Sequence, residues 1–260
     1  MSSAGNKFIT NAEAVPLVES DAFAHNQQNR FAIGMLTAED IMSNRKSPIV
    51  EGYLKLRANV YIDQTRMLKE DARRPDGTEI DEDDERSTHF VVMENRMGKS
   101  AVFACMRLIE KTDEYSNTLP IEDFFTEAFT DDSAPIDSIE ASRFIVRHDD
   151  EAARQEAKVR LVTTGLIYAM NHNLDPIYAV VEPEFERNLR TMRLPVHRLA
   201  EPKLVSEYND DNVAVVIGNS LRALQLRKKT IDPVALPLGT LDYWGSFEMS
   251  EDDTEAVYGS

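Results

Sequence analysis

The strongest constraint on the fold is a long helical segment placed between two short apolar segments. Residues Glu151–Asn171 combine good helix formers with apolar residues at near-helical steps, which predicts one long helix. The segments on either side, 136–146 and Ile177–Val181, are short, apolar and contain several β-branched residues, as is typical of strands. A helix that crosses from one strand to a neighbouring strand joins parallel strands. These three elements therefore predict a mixed α/β structure.

A β-hairpin is predicted earlier in the chain. Residues 88–93 are rich in strand formers, residues 96–99 can reverse the chain, and residues 100–109 (SAVFACMRLI) are apolar enough for a central strand. Residues 50–68 carry apolar side chains at helical spacing and predict a further helix. An antiparallel hairpin together with a helix-crossed pair predicts the α+β class, as a three-layer α/β/α sandwich rather than a regular barrel.

The remaining segments are shorter or more polar. Residues 69–86 contain a Pro-Asp-Gly turn and an excess of acidic side chains, which predicts a solvated loop. The predicted organisation is a polar N-terminal arm over residues 1–46, a folded domain over residues 47–230, and a C-terminal extension over residues 231–260 with an acidic, disordered tail. Short helices are expected at 38–42, 121–129 and 183–192, and short strands at 194–199 and 213–217.

The charge balance limits the partners that the chain is expected to bind. Of its 260 residues, 46 are Asp or Glu and 29 are Lys or Arg, so the formal net charge is −17. Nucleic acids and anionic lipid surfaces are polyanions, so non-specific binding to either is not expected. The sequence shows no apolar run long enough for a membrane span and no secretion signal. We expect a cytoplasmic protein with no membrane span and no nucleic-acid partner.

Common catalytic and nucleotide-binding motifs are absent from the sequence. It contains no Gly-x-Gly-x-x-Gly or Walker loop, no His-Glu-x-x-His and no Gly-x-Ser-x-Gly. The five His residues have no metal-ligand spacing, so no metal site is expected. Cys105 is the single cysteine, which excludes an internal disulfide. Because it lies in the middle of an apolar strand, it is expected to be a small buried residue rather than a nucleophile.

Charged residues inside apolar runs are the unusual feature of this sequence. Arg57 lies on the apolar face of the first long helix, and Arg107 interrupts the central strand. Glu140 and Arg143 flank Ala-Ser in SIEASRFIV. Buried charges are costly unless they are paired. From the residues alone, a structural ion-pair network at the edge of the core is favoured over a catalytic site, because such networks also perturb pKa values without catalysis.

The order and spacing of these charges resemble the acyl-homoserine-lactone synthases, the autoinducer synthases of bacterial quorum sensing. That family has an Arg followed four residues later by an aromatic residue, two Asp three residues apart, an Arg in a central strand, and a Glu-x-Ser-Arg-Phe signature. The similarity runs over about residues 50–217. The residues that carry it here are Arg57 and Tyr61, Asp81 and Asp84 with Phe90 after them, Arg107, and Glu140-Ala141-Ser142-Arg143-Phe144.

The resemblance implies both a fold and a reaction. The implied fold is a GNAT-like acyltransferase with a mixed, splayed central sheet, in which the thioester arm lies along a strand. The implied enzyme moves a fatty acyl group from a carrier thioester to the amine of S-adenosylmethionine, after which a lactone forms and methylthioadenosine leaves. It implies no permanently bound cofactor, because S-adenosylmethionine and the acyl thioester are substrates.

The resemblance also implies catalytic roles for residues of the signature. Attack by an amine requires loss of a proton, and Glu140 is the expected general base. Ser142 and Arg143 complete the expected catalytic group, and a backbone N–H near Ser142–Phe144 is expected to stabilise the oxyanion. The residues expected to bind substrate are Arg57, Tyr61, Asp81, Asp84, Arg107 and Phe144.

One ion network is expected to connect the charged residues of the family pattern. Three Arg and three acids would cancel, so the cluster could be buried without net charge. It is expected to order the 69–86 segment over the acceptor site, while Asp83 and Glu85 face water. The expected members are Arg57, Asp81, Asp84, Arg107, Glu140 and Arg143.

The acyl carrier is expected to bind a basic surface, because acyl carrier proteins are acidic. Arg154, Lys158, Arg187 and Arg190 are the expected docking residues. Coenzyme A phosphates suit the same residues, so the carrier protein and coenzyme A both remain open. An ordinary solvated helix face is the alternative for each residue. Further basic residues in the same regions are Arg160, Arg193, Arg198, Arg222, Arg227, Lys228 and Lys229.

One departure from the family pattern bears on the acceptor. The family usually has a Trp ten residues after the helix Arg, where this chain has Met67; its single Trp is Trp244. An N-acyl amino acid synthase with another amine acceptor, and a catalytically silent acyl-binding protein of the same fold, are the alternatives. Glu140 argues against the silent protein. Residues that could line an acyl tunnel, and are equally core residues, are Val102, Ala104, Met106, Leu166, Met170 and Val180.

Overall fold

The computed structural model describes most of the chain between Arg30 and Gly218 and divides it into two compact units. The first unit comprises Met1–Ile109 and Arg143–Leu161, and the second comprises Glu110–Ser142 and Val162–Ser260. The 231–260 extension, most of the predicted N-terminal arm, Trp244 and the basic run at 222–229 lie outside the described residues. The described residues are 30–43, 45, 47–96, 99–113, 118–129 and 133–218.

Five α-helices and eight β-strands are present in the described part of the chain. A π-helix at Asn59–Gln64 follows α2, and short 3-10 turns occur at Glu70–Ala72, Glu82–Arg86 and Thr126–Ala128. The order is β1 (Phe31–Leu36), α1 (Ala38–Ser43), α2 (Pro48–Ala58), β2 (Ser87–Arg96), β3 (Lys99–Lys111), α3 (Pro120–Phe124), β4 (Ser138–Val146), α4 (Glu151–Asn171), β5 (Ile177–Val181), α5 (Pro183–Thr191), β6 (Val196–Arg198), β7 (Lys203–Val205) and β8 (Asp210–Ile217).

The strands form an open mixed sheet, which confirms the predicted fold class. In the first unit, β1 pairs antiparallel with β2, and β2 pairs antiparallel with β3 as the predicted hairpin, with a register shift between Val92 and Met93. Strand β1 was not predicted, because its short apolar run follows a polar segment and was included in the arm. Phe31 of this strand is buried and packs against Phe103 and His148.

The second unit contains the helix-crossed strand pair. Strands β4 and β5 pair in parallel, and the pairs run from Ile139↔Ile177 to Ala141↔Ala179. Strand β8 pairs antiparallel with β5, β6 and β7. The three-residue strand β7 was not predicted, because so short a segment has too few positions to show alternation. Helix α4 and strand β5 have the predicted bounds.

Helix α2 buries its apolar face in the core of the first unit. Tyr53 and Leu54 of this helix are completely buried, together with Val91 and Cys105 of the hairpin strands. Cys105 is buried, as the sequence predicts, and burial raises the pKa of its thiol to about 12. The core thus holds α2 against β2 and β3.

The segments around the long helices differ from the sequence predictions in their details. The predicted 50–68 helix is α-helical only to Ala58 and then widens into the π-helix, which the Thr65 N–H to Val60 carbonyl hydrogen bond closes at 2.9 Å. The predicted 121–129 helix is split, because α3 ends at Phe124 and a separate 3-10 turn follows. Within the described residues, no helix is both long and apolar enough to cross a membrane.

Candidate active site

The 69–86 segment is not the solvated loop that its composition predicts. Its two backbone turns bring acidic side chains into the core, where Glu79 and Asp84 are almost fully buried. The first turn is fixed by Thr78, whose N–H and hydroxyl donate to Asp76 Oδ1 at 3.1 and 2.6 Å. The charges survive burial because arginines of α2, β3 and β4 pair with them. Composition could not show these long-range partners.

An ion network of three arginines and three carboxylates therefore lies in the first unit. Each of the three acids contacts two of the three arginines within 3.2 Å, so the charges interlock rather than form isolated pairs. The formal charges cancel, as a buried cluster requires. The members of this network are Arg57, Glu79, Asp81, Asp84, Arg107 and Arg143.

Arg57 is the buried centre of the network. Its Nε donates to Glu79 Oε2 at 2.5 Å, while Nη1 and Nη2 donate to the two oxygens of Asp84 at 2.7 and 3.0 Å. This two-point contact fixes the plane of the guanidinium relative to the Asp84 carboxylate. Helix α2 supplies the Arg, and the 3-10 turn at Glu82–Arg86 supplies the Asp, so the pair ties the acidic segment to the helix.

The other two arginines hold Asp81. Arg107 Nη1 donates to Asp84 Oδ1 at 2.9 Å and also contacts Asp81, and Arg143 Nη2 donates to Asp81 Oδ2 at 2.7 Å and to Glu79 Oε1 at 3.2 Å. The Asp81 N–H donates to Asp84 Oδ2 at 2.9 Å, so the local turn aims both carboxylates at the arginines. Asp81 is therefore held on both oxygens.

The backbone of β4 is unusual at Arg143. This residue has φ 50°, in the left-handed region that residues other than Gly rarely adopt. Such a conformation costs about 1–3 kcal/mol and persists only where the surroundings impose it. Here the Arg143 side chain makes two ion pairs, with Glu79 and Asp81, and the Cys105 thiol donates to the Arg143 carbonyl at 3.5 Å. The irregularity also confirms that simple strand alternation does not apply after Ser142.

The carboxylates of the network are held in their charged form. Burial alone would raise the pKa of Glu79, but Arg143 and Arg57 outweigh it and hold that pKa below its usual value. The pKa of Asp81 is likewise lowered: burial opposes the shift, and Arg107 and Arg143 overcome it. For Asp84, Arg57 and Arg107 overcome burial and lower the pKa strongly. The cluster therefore stays fully ionised at neutral pH.

One side of the network reaches solvent, and we call it the open edge: Asp81, Arg143 and Tyr61. The Asp81 side chain is 27% exposed and the Arg143 side chain 10%, whereas the other four network side chains are at most 2% exposed. The Arg143 guanidinium lies 5.2 Å from the centre of the Tyr61 ring. The open edge therefore brings a partly exposed carboxylate, a guanidinium and an aromatic ring together.

Glu140 lies in the second unit, near the start of β4. It is buried, and its Oε2 accepts the Ile121 N–H of α3 at 2.8 Å. Ser142 and Phe144 are half-buried on the same strand. Two residues, Ala141 and Ser142, separate Glu140 from Arg143 in the sequence.

Comparison with known proteins identifies the family. The sequence profile of the autoinducer synthase family matches residues 41–219. The chain belongs to the autoinducer synthase family. A search among curated proteins found no matching sequence. The family resemblance predicted from the motifs is confirmed, and this autoinducer synthase is an acyltransferase.

Several solved structures have a similar fold. They include BjaI with MTA, a CoA-dependent acyl-homoserine lactone synthase (TM-score 0.59, 18% identity, 77% of this chain and 89% of that chain). MesI, also a CoA-dependent acyl-homoserine lactone synthase, has a TM-score of 0.55 and 20% identity, over 76% of this chain and 94% of that chain. FeeM, an N-acyl amino acid synthase from uncultured soil microbes, has a TM-score of 0.50 and 15% identity, over 77% of this chain and 99% of that chain. At these low identities the likeness establishes the fold alone, and it confirms the GNAT-like acyltransferase fold.

The structure of the autoinducer synthase brings five of the six predicted network residues together and adds one. Ion pairs join Arg57, Asp81, Asp84, Arg107 and Arg143, and Glu79 bridges Arg57 and Arg143. Sequence reasoning missed Glu79, although it precedes Ile80, the one large aliphatic residue in an acidic stretch, which packs against the core. An acid next to such an apolar anchor is the signal that could have found it.

One expectation for the acidic segment holds and another is wrong. Glu85 is exposed, as expected. Asp83 does not simply face water, because its side chain is only 16% exposed and its Oδ1 accepts Arg86 Nε and Nη2 at 3.1 and 2.7 Å. The Arg86 guanidinium holds the Asp83 carboxylate against the protein. The acidic composition of the segment did not indicate this pair.

The predicted carrier-docking residues divide between the units and are partly engaged with acids. In the first unit, Arg154 donates to Glu151 and to the His148 carbonyl, and Lys158 is half-buried. In the second unit, Arg187 is exposed, and Arg190 donates to the buried Glu186 at 2.8 Å. Arg198 shares the same Glu186 carboxylate, so these two arginines and one acid leave a net positive charge on α5 and β6.

Proposed function

We propose that this autoinducer synthase transfers a fatty acyl group from a thioester to the α-amine of S-adenosylmethionine and then forms the homoserine lactone. The amine attacks the thioester carbonyl and the carrier thiol leaves. The methionine carboxylate then attacks the carbon next to the sulfonium, whose C–S bond breaks, and methylthioadenosine departs. The open edge is the observation that carries the proposal, because S-adenosylmethionine has a cationic sulfonium, a carboxylate and an aromatic base.

Each group of the open edge suits one part of this substrate. Asp81, already ionised, attracts the cationic groups. Arg143 can donate to the substrate carboxylate, and the Tyr61 ring offers a face for stacking or for a cation. The buried residues Arg57, Asp84 and Arg107 hold these groups in place. BjaI, which has the same fold, was solved with SAM and isopentyl-CoA, which supports the choice of substrates.

Glu140 is the proposed general base for the amine. Its carboxylate is buried, and one oxygen accepts the Ile121 N–H, which fixes the orientation of a group that is proposed to take the amine proton directly or through one water. Phe144 and the backbone near Ser142–Phe144 are proposed to bind the thioester carbonyl, where an N–H stabilises the oxyanion. Their place next to the irregular Arg143 backbone supports this assignment.

The thioester carrier is proposed to be an acyl carrier protein or coenzyme A, bound through exposed basic residues of which Arg187 is the least engaged. Removing a rim charge affects mainly association and its salt dependence. Arg187→Ala is therefore expected to raise KM for an acyl carrier protein more at low than at high salt, and to change KM for acyl coenzyme A less. Equal effects on both thioesters would identify a phosphate site instead.

An N-acyl amino acid synthase is the second candidate function. Met67 stands where acyl-homoserine-lactone synthases usually have the Trp of the acceptor pocket, and it is half-buried in this structure. FeeM supports the same alternative, because its fold is similar and it is an N-acyl amino acid synthase. In this case the open edge would hold an amino acid and no methylthioadenosine would form.

Calorimetry with S-adenosylmethionine, with and without a long-chain acyl carrier protein or acyl coenzyme A, tests the proposal. We expect saturable binding, followed by methylthioadenosine release when a thioester is added. Asp81→Asn should weaken binding about tenfold or more, and the matched control Glu85→Gln, in the same segment but exposed, should not. Engagement of the thioester without any binding of S-adenosylmethionine would move the acceptor to a free amino acid.

A further inference from the structure

A tyrosine and a histidine outside the family pattern adjoin the ion network. Tyr53 of α2 and His89 of β2 are both completely buried in the first unit. Tyr53 Oη and His89 Nδ1 are 2.8 Å apart, and Arg57 Nη1 donates to Tyr53 Oη at 3.1 Å. A hydrogen-bonded chain therefore runs from Arg57 through Tyr53 to His89.

We assign a direction to this chain. A guanidinium can only donate, so Tyr53 Oη accepts from Arg57, and its own proton is then available for His89 Nδ1. With Nδ1 as the acceptor, a neutral His89 carries its proton on Nε2, the nitrogen 4.0 Å from Asp84 Oδ1. Arg57, the first donor, is also the centre of the network.

The surroundings keep His89 neutral, as this direction requires. Burial lowers the pKa of His89 to about 3, against an opposing effect of Asp84. Arg107, opposite His89 in the β2–β3 ladder, and Arg57 oppose a further positive charge. Burial likewise raises the pKa of Tyr53, so its hydroxyl keeps its proton. The pair therefore adds directed hydrogen bonds to the network without altering its charge balance.

We propose that Tyr53 and His89 are positioning residues that fix the Arg57 guanidinium and, through Glu79 and Asp84, hold Asp81 and Arg143 at the open edge. Arg57 Nη1 is shared between Asp84 and Tyr53, so loss of the hydroxyl leaves that nitrogen one acceptor and holds the guanidinium less firmly against Glu79 and Asp84. A shift of Arg57 displaces its partners Glu79 and Asp84. Asp81 is displaced in turn, because Arg107 and Arg143 bind it together with those two acids. The kinetic part of this proposal rests on the proposed function.

Amide hydrogen exchange of residues 79–86 tests the positioning role without any assay of activity. Tyr53→Phe and His89→Leu are expected to speed exchange in this segment about tenfold, because each breaks the chain. Tyr168→Phe is the matched control: it also removes a hydroxyl hydrogen bond, to Glu110 at 2.7 Å, but in the second unit. Unchanged exchange in Tyr53→Phe, with the fold intact by circular dichroism, would overturn the proposal.

Nitrogen-15 NMR of His89 tests the direction of the chain. The wild-type ring should be the neutral Nε2–H tautomer at pH 7, with an Nδ1 shift that moves in Tyr53→Phe. A proton on Nδ1, or a charged ring, would contradict the assigned direction. Both readouts are independent of turnover, so they decide the positioning role even if the wild-type enzyme releases no methylthioadenosine, an outcome that would refute only the proposed function.

Steady-state kinetics separate positioning from a merely structural role. Tyr53→Phe and His89→Leu should raise KM for S-adenosylmethionine about tenfold and leave KM for the thioester nearly unchanged. His89→Asn should recover most of the loss, because its amide oxygen can accept the Tyr53 proton. The Tyr53→Phe/His89→Leu double variant should be no worse than either single variant. Additive losses, or equal effects on both substrates, would contradict the proposal.

Discussion

Two buried groups of carboxylates, one in each unit, are held in different ways. In the first unit the ion network pairs acids with arginine side chains and leaves Asp81 partly exposed. In the second unit a single acid, Glu122, accepts Lys111 Nζ at 2.9 and 3.0 Å and the N–H groups of Leu119 and Ala134 at 2.6 and 2.8 Å. We call this second group the Glu122 hub.

The difference separates a structural use of buried charge from one that can serve a ligand. The hub is closed, because Lys111 and Glu122 are both buried and two of the donors are backbone groups at the two ends of one segment. It therefore secures the 119–134 segment and presents nothing to solvent. In the network, by contrast, most contacts hold the partly exposed Asp81 carboxylate and the Arg143 guanidinium at the open edge. A site for a charged small molecule needs the arrangement of the network, in which buried partners hold exposed groups in place.

Glu140 gives the sharpest test of this comparison. It accepts a backbone N–H, as Glu122 does in the hub, but it belongs to the signature that carries the family resemblance. Glu140→Gln keeps an oxygen for Ile121 and removes the base, so we expect turnover to fall about 10²–10⁴-fold while the fold is retained. Methylthioadenosine release measures turnover, and thermal unfolding measures the fold. Full activity would assign Glu140 to structure, as in the hub.

Arg143 is expected to have the largest effect on stability. Arg143→Ala removes a cation from Glu79 and Asp81 and leaves the buried Glu79 with one arginine. We expect the free energy of unfolding to fall by about 3–5 kcal/mol, as when a buried pair is broken. Urea denaturation gives the change, and the exposed Arg187→Ala serves as control. An unchanged value would show that the Arg143 pairs behave as exposed ones.

The elements that the sequence predicted well are those whose signal is local. Helix α4 has a long amphipathic pattern and strand β5 a compact apolar run, so neither needed distant partners to be recognised. Strand β1 and the buried side of the 69–86 segment depend on partners far along the chain: β1 pairs with β2, and Glu79 pairs with Arg57. Composition therefore assigned both to solvent.

The same reasoning explains which site residues were found. Arg57, Arg107 and Arg143 were found because charges in apolar runs need partners, and the family motifs supplied the pairing with Asp81 and Asp84. Tyr53 and His89 were missed because a buried Tyr and a strand His are ordinary in sequence. Only the 2.8 Å contact between them, and its link to Arg57, shows their relation to the network.

The Glu122 hub should affect stability and not substrate binding. Glu122→Gln leaves the buried Lys111 charge without its anionic partner, and we expect a loss of about 2–3 kcal/mol in the free energy of unfolding. Replacing both partners, in Lys111→Met/Glu122→Gln, should recover part of this loss because no buried charge remains. Calorimetry should give an unchanged dissociation constant for S-adenosylmethionine. Weaker binding of S-adenosylmethionine by Glu122→Gln would show that the Glu122 hub, like the ion network, contributes to the site.

The smallest expected effect is the pH dependence of the Arg143 contribution. Because the folded-state pKa values of Glu79 and Asp81 are lowered, the unfolded chain takes up protons at a higher pH than the folded chain. The stabilisation is complete above their unfolded values near pH 4 and is lost as the pH falls through the lower folded values. The stability difference between wild type and Arg143→Ala should therefore be constant from about pH 7 to 5 and shrink by about 1–2 kcal/mol towards pH 3. Urea denaturation at each pH measures it, with Arg187→Ala as a control whose difference stays constant. A difference that persists unchanged at pH 3 would mean that Arg143 stabilises the fold by packing on Tyr61 rather than by charge.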